Sequence, residues 1–145
     1  MAYATMSSAK ITIGLDLGDR YSRFCMLDAD SAVIEEGRFR TTPTALRRVF
    51  ADREPMRIVI EVGTHSPWVS RLLEGCGHEV LVANARKVRL IYANDNKNDQ
   101  IDAETLARIG RLDPKLLSPV HHRGAAAQAD LAAIRSRDCL VGART

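Results

Sequence analysis

The chain has 145 residues, of which 46% are hydrophobic and 27% charged, and a formal net charge of +3. Those proportions exclude a disordered chain, and no apolar run approaches the roughly 20 residues that a membrane helix needs. Cys25, Cys76 and Cys139 are too widely spaced for a disulfide framework or a zinc knuckle.

Met1–Lys10 lacks the apolar stretch of a secretory signal, so a reducing, cytoplasmic setting is expected. The first element is Lys10–Leu17. Ile11, Ile13, Leu15 and Leu17 alternate onto one face of a strand, and Thr12, Gly14 and Asp16 onto the other. Gly18-Asp19 makes a turn, Tyr21–Leu27 a second strand, Ala29–Ser31 another turn, and Ala32–Arg40 a third strand. Such short connections predict an antiparallel meander.

Thr42-Pro43 then opens a helix, with threonine as cap and proline at the first helical position. Arg57–Val62 is a short, almost wholly apolar run, the pattern of a strand buried on both faces. A helix follows over Pro67–Glu74, ended by Gly75-Cys76-Gly77, and Glu79–Ala83 forms a fifth strand. Helices are predicted over Asn84–Tyr92 and Asp99–Leu112, the latter stopped by Asp113-Pro114. From Arg123 to Arg144 the pattern is helical and Ala-rich, with no stop signal after it. The expected organisation is a tail over residues 1–9, an α/β domain over 10–117, and the start of a helical spacer over 118–145, cut off at a boundary. Three antiparallel strands followed by βαβ units predict a mixed five-stranded sheet with helices on both faces and a long C-terminal helix. RNase H-like nucleases and the sugar kinase/actin ATPases share this layout.

Four carboxylates stand out. Asp16 lies inside an aliphatic strand, where aspartate is depleted, and Glu61 ends the run Ile58-Val59-Ile60 in the same way. If the first and fourth strands are parallel neighbours, both acids project from the carboxyl end of the sheet, where ligands of open sheets gather. Asp99, Asp102, Leu106 and Ile109 share one helix stripe, which aims the two aspartates at the sheet. Singly, each acid has a plain structural reading. Asp16 would serve a turn, Glu61 a solvated strand end, Asp99 a helix cap, and Asp102 the helix dipole. Together, four buried carboxylates would repel one another and raise their pKa values unless a divalent cation neutralised them. Mg²⁺ or Mn²⁺, held by carboxylates and a phosphate, is the usual solution, and paired ions serve phosphoryl transfer.

At these residues the chain resembles the N-terminal domain of the DEDD transposases of bacterial insertion sequences, the "one-ten" family. The stretches that carry the resemblance are Ile13–Gly18 (IGLDLG), Val59–Trp68 (VIEVGTHSPW), Gly77–Arg89 (GHEVLVANARKVR) and Lys97–Arg108 (KNDQIDAETLAR), in the family's order. The resemblance implies a RuvC-like domain of the RNase H fold with Asp16, Glu61, Asp99 and Asp102 as catalytic, metal-binding acids. It also implies metal-dependent cleavage and transfer of DNA strands at transposon ends and targets, nucleoid association, and a guide RNA from the element's own ends. Ser66-Pro67 departs from the bulkier, often aromatic residue that many members carry before the tryptophan. The serine-bearing C-terminal domain of the family has no counterpart after Arg123.

Basic residues cluster before the DxxD segment. Arg86, Lys87, Arg89 and Lys97 are candidates for contacts to nucleic-acid phosphates, against the reading of a solvated helix face. Arg38–Arg57 carries six arginines against Asp52 and Glu54, and fits nucleic acid, a second subunit or plain surface charge. His65 is expected to cap the following helix or to contact phosphate or water, Trp68 to pack, and His121-His122 to form a loop pair. The Ala-rich segment after Arg123 favours helix pairing, hence a homo-oligomer. Two other functions share the layout. A first lobe of a sugar kinase/actin-like ATPase would have GLDLG facing nucleotide phosphates, but it leaves KNDQIDAE without a role. A non-catalytic nucleic-acid-binding or dimerisation module would carry the same acids as a dead site.

Overall fold

A computed structural model describes residues 11–84, 86–88, 102–117 and 119–122. The chain folds into β1 (Thr12–Asp16), β2 (Tyr21–Leu27), β3 (Val33–Arg40), α1 (Pro43–Phe50), β4 (Arg57–Glu61), α2 (Ser66–Gly75), β5 (Glu79–Ala83) and α3 (Ala103–Leu112), followed by a 3₁₀ turn at Pro114–Leu117. The five strands form one mixed sheet in the order β3-β2-β1-β4-β5. β1–β2 and β2–β3 are antiparallel, while β1–β4 and β4–β5 are parallel.

Local chemistry accounts for the turns. The Asp28 carboxylate accepts from the backbone N–H groups of Asp30 (2.8 Å) and Ala32 (3.0 Å), closing the β2–β3 hairpin. The Thr42 hydroxyl accepts from Ala45 N–H (3.2 Å), with Pro43 in the first turn, as the Thr-Pro pair predicts.

Helices cover both faces of the sheet. On one face, Leu46 and Phe50 of α1 and Val69 and Leu73 of α2 pack against Ile13, Leu15, Phe24, Phe39, Ile58 and Ile60. Edge-to-face contacts of Phe50 with Phe24 and Phe39, both at 5.8 Å, lock this layer. On the other face α3 lays Leu106 against Val59, Ala83 and Leu117, and Ala103 and Ala107 against Cys25 and Leu27. Ile58, Val59 and Ile60 are fully buried, as expected of a two-faced central strand. β1 is likewise buried on both sides, Thr12 included.

Arg57 fixes the far end of α3. Its guanidinium donates to Glu79 (3.0 Å) and to the Gly110 carbonyl (3.2 Å). Backbone bonds from Val120 N–H to Val82 O (2.8 Å) and from Asn84 N–H to Leu117 O (2.9 Å) lay the following segment along the outer side of β5. Among the described residues no helix is long and apolar enough to cross a membrane.

Some expectations need correction or fall outside the described residues. α3 begins at Ala103, with Asp102 as its cap, rather than at Asp99. Of the helix expected at Asn84–Tyr92, residues 84 and 86–88 are described: 86–88 are helical, and Asn84 stands before them, its side chain accepting from Lys87 N–H. The helix expected over Arg123–Arg144 lies outside the described residues, as does Asp99.

Candidate functional site

Asp16 and Glu61 end neighbouring parallel strands. The ladder pairs Gly14 with Val59 and Leu15 with Ile60, so the next step sets Asp16 beside Glu61. Alternation puts both acids on the face of Gly14 and Val59, which is the face that α3 covers. Both are half-buried at the carboxyl ends of their strands.

α3 brings the third acid. It lies so close to β1 that a β-carbon on Gly14 would collide with the Ala103 carbonyl oxygen and stand 2.8 Å from Ala107 N. Only glycine permits that approach. Asp102, directly before Ala103, is extended (φ −74°, ψ 167°), and its carboxylate accepts from Thr105 N–H at 2.7 Å. The cap therefore fixes Asp102 at the helix end nearest Asp16. The Asp16 carboxyl is held above the ordinary carboxylate range, first by burial, then by repulsion from Asp102, with Arg23 opposing the rise.

Asp16, Arg23 and Asp102 line one cleft of about 480 Å³, together with Glu36 and Glu104. Glu104 is also paired with Arg108, one turn along α3 (2.9 Å). Arg23, Glu36 and Glu104 escaped the sequence reading. For Arg23 and Glu36 the signal was the strand register, which pairs Arg23 with Asp16 and Glu36 with Cys25, and register is hard to assign before the strands are aligned; Glu104 lies in the first turn of α3. Among the described residues no three His, Cys, Asp or Glu side chains are grouped closely enough to hold a metal ion. The expected set of Asp16, Glu61, Asp99 and Asp102 is described for three members. The donor chemistry suits a hard divalent cation: carboxylate oxygens with two of the acids in mutual repulsion.

At the same edge of the sheet, His65 links two loops. Its Nε2 is 3.1 Å from the Asp19 carboxylate, and Trp68 Nε1–H donates to its Nδ1 at 3.1 Å. An acceptor role for Nδ1 puts the ring proton on Nε2, facing Asp19. His65 occupies the cap position of α2 without a side-chain capping bond. Trp68 packs against the core, as expected. His122 Nε2 lies 3.0 Å from Ser66 Oγ, and burial with the nearby Arg71 lowers the imidazole's pKa.

Of the four basic candidates, Arg86 and Lys87 are exposed on the helical turn after β5, and Arg89 and Lys97 lie outside the described residues.

A family model described as a transposase, for the DEDD transposases of the IS110 type, matches residues 13–145. No curated protein matches the chain.

Proposed function

The chain belongs to the IS110-type DEDD transposase family, and we propose that its sheet is an RNase H-like (RuvC-like) catalytic domain that cleaves and transfers DNA strands with a divalent metal. The observation that carries this reading is the seating of α3 on Gly14. Burial beneath this packing, and then the charge of Asp102, raise the Asp16 pKa, and the parallel register of β1 and β4 supports Glu61 as its neighbour.

Asp16, Glu61 and Asp102, joined by Asp99, would hold Mg²⁺ or Mn²⁺. When bound, such an ion orients a phosphodiester and stabilises the charge that builds on its oxygens during transfer. The protein's own residues supply the rest. Asp16 is paired with Arg23 on β2 and Glu61 with Ala83 on β5, so regular strand pairing holds the backbone of both acids and would orient their carboxylates for a ligand. Asp102 is fixed by its bond to Thr105 N–H and presents negative charge opposite Asp16. Arg23, paired in register with Asp16, offers a guanidinium to an anionic substrate at the lip of the cleft. Arg86 and Lys87, with Arg89 and Lys97, are proposed to neutralise backbone phosphates on the β5 side. A guide RNA and pairing of copies through residues 123–145 belong to the same proposal.

The test is Mn²⁺ binding, read by calorimetry and by paramagnetic broadening of carboxylate signals, together with cleavage of labelled transposon-end DNA by the whole transposase. Asp16→Asn and Glu61→Gln are expected to abolish cleavage and to weaken Mn²⁺ binding. Full cleavage by both variants would sink the proposal.

A further inference from the structure

The register carries the acids' row beyond the cleft. Asp16 pairs with Arg23 on β2, and Arg23 pairs with Arg38 on β3. Two residues further along the hairpin, Tyr21 pairs with Arg40. Alternation places all of these on the face of Asp16. Tyr21, Arg23, Arg38 and Arg40 are all exposed, whereas Ser22, Phe24 and Phe39 between them are buried. Read across the strands, the row is Arg38, Arg23, Asp16, Glu61 and Ala83. Beyond Ala83 come the exposed Arg86 and Lys87. With strands about 4.8 Å apart, the arginine flank begins next to the acids and reaches roughly 10 Å from Asp16.

Two features set this flank apart from ordinary surface charge. Arg23 and Arg38 are like charges directly opposed on adjacent strands, which costs the hairpin stability. No carboxylate among the described residues forms an ion pair with Arg38 or Arg40. Instead both guanidiniums gather over the Tyr21 ring, Arg38 at 4.5 Å and Arg40 at 6.0 Å from its centroid. A ring that holds two guanidiniums together reduces the freedom lost when they engage a ligand. Arg38 and Arg40, without an ion-paired carboxylate among the described residues and in line with Arg23 and the paired acids, match a chain of phosphates.

We propose that Arg23, Arg38 and Arg40, gathered by Tyr21, form a phosphate-binding flank on which a DNA strand crosses the sheet from β3 towards Asp16 and Glu61. This rests on reading those acids as the cleavage centre. The strand then runs across the β-strands, with cations of β2–β3 on one side of the acids and Arg86 and Lys87 on the other. Tyr21 is a positioning residue here, since its ring faces the guanidiniums.

The experiment measures binding of the full chain to fluorescein-labelled 20-nucleotide single-stranded DNA, its duplex and the matching RNA, by anisotropy at several salt concentrations with EDTA present. Mn²⁺ uptake by the same proteins is measured separately. Arg38→Gln/Arg40→Gln is expected to weaken single-stranded DNA binding at least about tenfold and to reduce the slope of log K against log salt by about 1.4. Mn²⁺ uptake should not change. Tyr21→Phe should bind like the parent, and Tyr21→Ala should lose part of the affinity. An unchanged affinity and slope in the arginine variant, with DNA bound by the parent, would overturn the flank and leave the metal-site reading standing. A loss confined to the RNA would overturn the assignment to DNA. Absent Mn²⁺ uptake by the parent would count against the cleavage centre while the salt slope still judged the flank. A parent that binds no nucleic acid would overturn the flank, with Mn²⁺ uptake still judging the metal site.

Discussion

Gly14 and Ala103 meet backbone to backbone: a β-carbon on the glycine would occupy the space of the Ala103 carbonyl oxygen. Gly14 lies two residues before Asp16 on the same face of β1, and Ala103 directly follows Asp102. One close approach thus sets the separation of two candidate catalytic acids. Gly14→Ala is expected to push α3 off the sheet and to cost about 2–3 kcal/mol, the scale of overpacking in a dense core. Thermal unfolding measures the loss. NMR titration should also show the Asp16 carboxyl returning towards its ordinary range, because both burial and the Asp102 charge recede.

Asp16 makes stability depend on pH in a defined direction. Burial and Asp102 raise its folded-state pKa above the unfolded reference of 3.8. The native state therefore binds the proton more tightly than the unfolded state does. Stability from this group falls as pH rises from 3.8 through the folded-state pKa, and the cost stays in full above it. Asp16→Asn should therefore be more stable than the parent at neutral pH, with the difference vanishing below pH 3.8. Denaturant melts across that range decide it, and a difference independent of pH would falsify the assignment. Adding Mn²⁺ should stabilise the parent more than Asp16→Asn.

Arg57 acts at the other end of α3. Its side chain is nearly buried, with bonds to Glu79 and the Gly110 carbonyl. Arg57→Ala is expected to cost about 3 kcal/mol, because it leaves a partly buried carboxylate and a helix carbonyl without their cation. Glu79→Gln keeps a hydrogen-bond acceptor for the guanidinium and should cost about 1 kcal/mol or less. Urea unfolding of the two variants gives the comparison.

Cys25 and Cys76 should differ in reactivity. Burial, then the charges of Glu36 and Glu104, push the Cys25 thiol up to about 11. Cys76 is only partly buried. At pH 8 a disulfide reagent is expected to modify Cys76 and to leave Cys25 intact until the protein is unfolded. Mass spectrometry of the labelled peptides locates the reaction, and rapid labelling of Cys25 in the native protein would contradict the packing of α3 on β2.

Much of the architecture was legible because its signals are local. Alternation in Thr12–Asp16 and Tyr21–Leu27, the Thr42-Pro43 cap and the apolar run at Arg57–Glu61 depend on neighbours in sequence, and the strands and helix they predict are present. The start of α3 was misplaced because Asp99 and Asp102 carry the same capping signal. The bond from Thr105 N–H to Asp102 marks the true cap. Capping chemistry is degenerate between aspartates three residues apart.

The site divides along the same line. Asp16, Glu61 and Asp102 could be singled out because an acid within an aliphatic strand, or at the head of an apolar helix stripe, conflicts with its surroundings. The face a strand residue occupies is likewise written in the chain's alternation. Arg23, Arg38 and Tyr21 conflict with nothing local, and charged residues on a half-exposed strand read as solvent face. Which strand lies beside which, and in what register, is set by pairing between distant segments, so only the folded sheet could align Arg38 and Arg23 with Asp16.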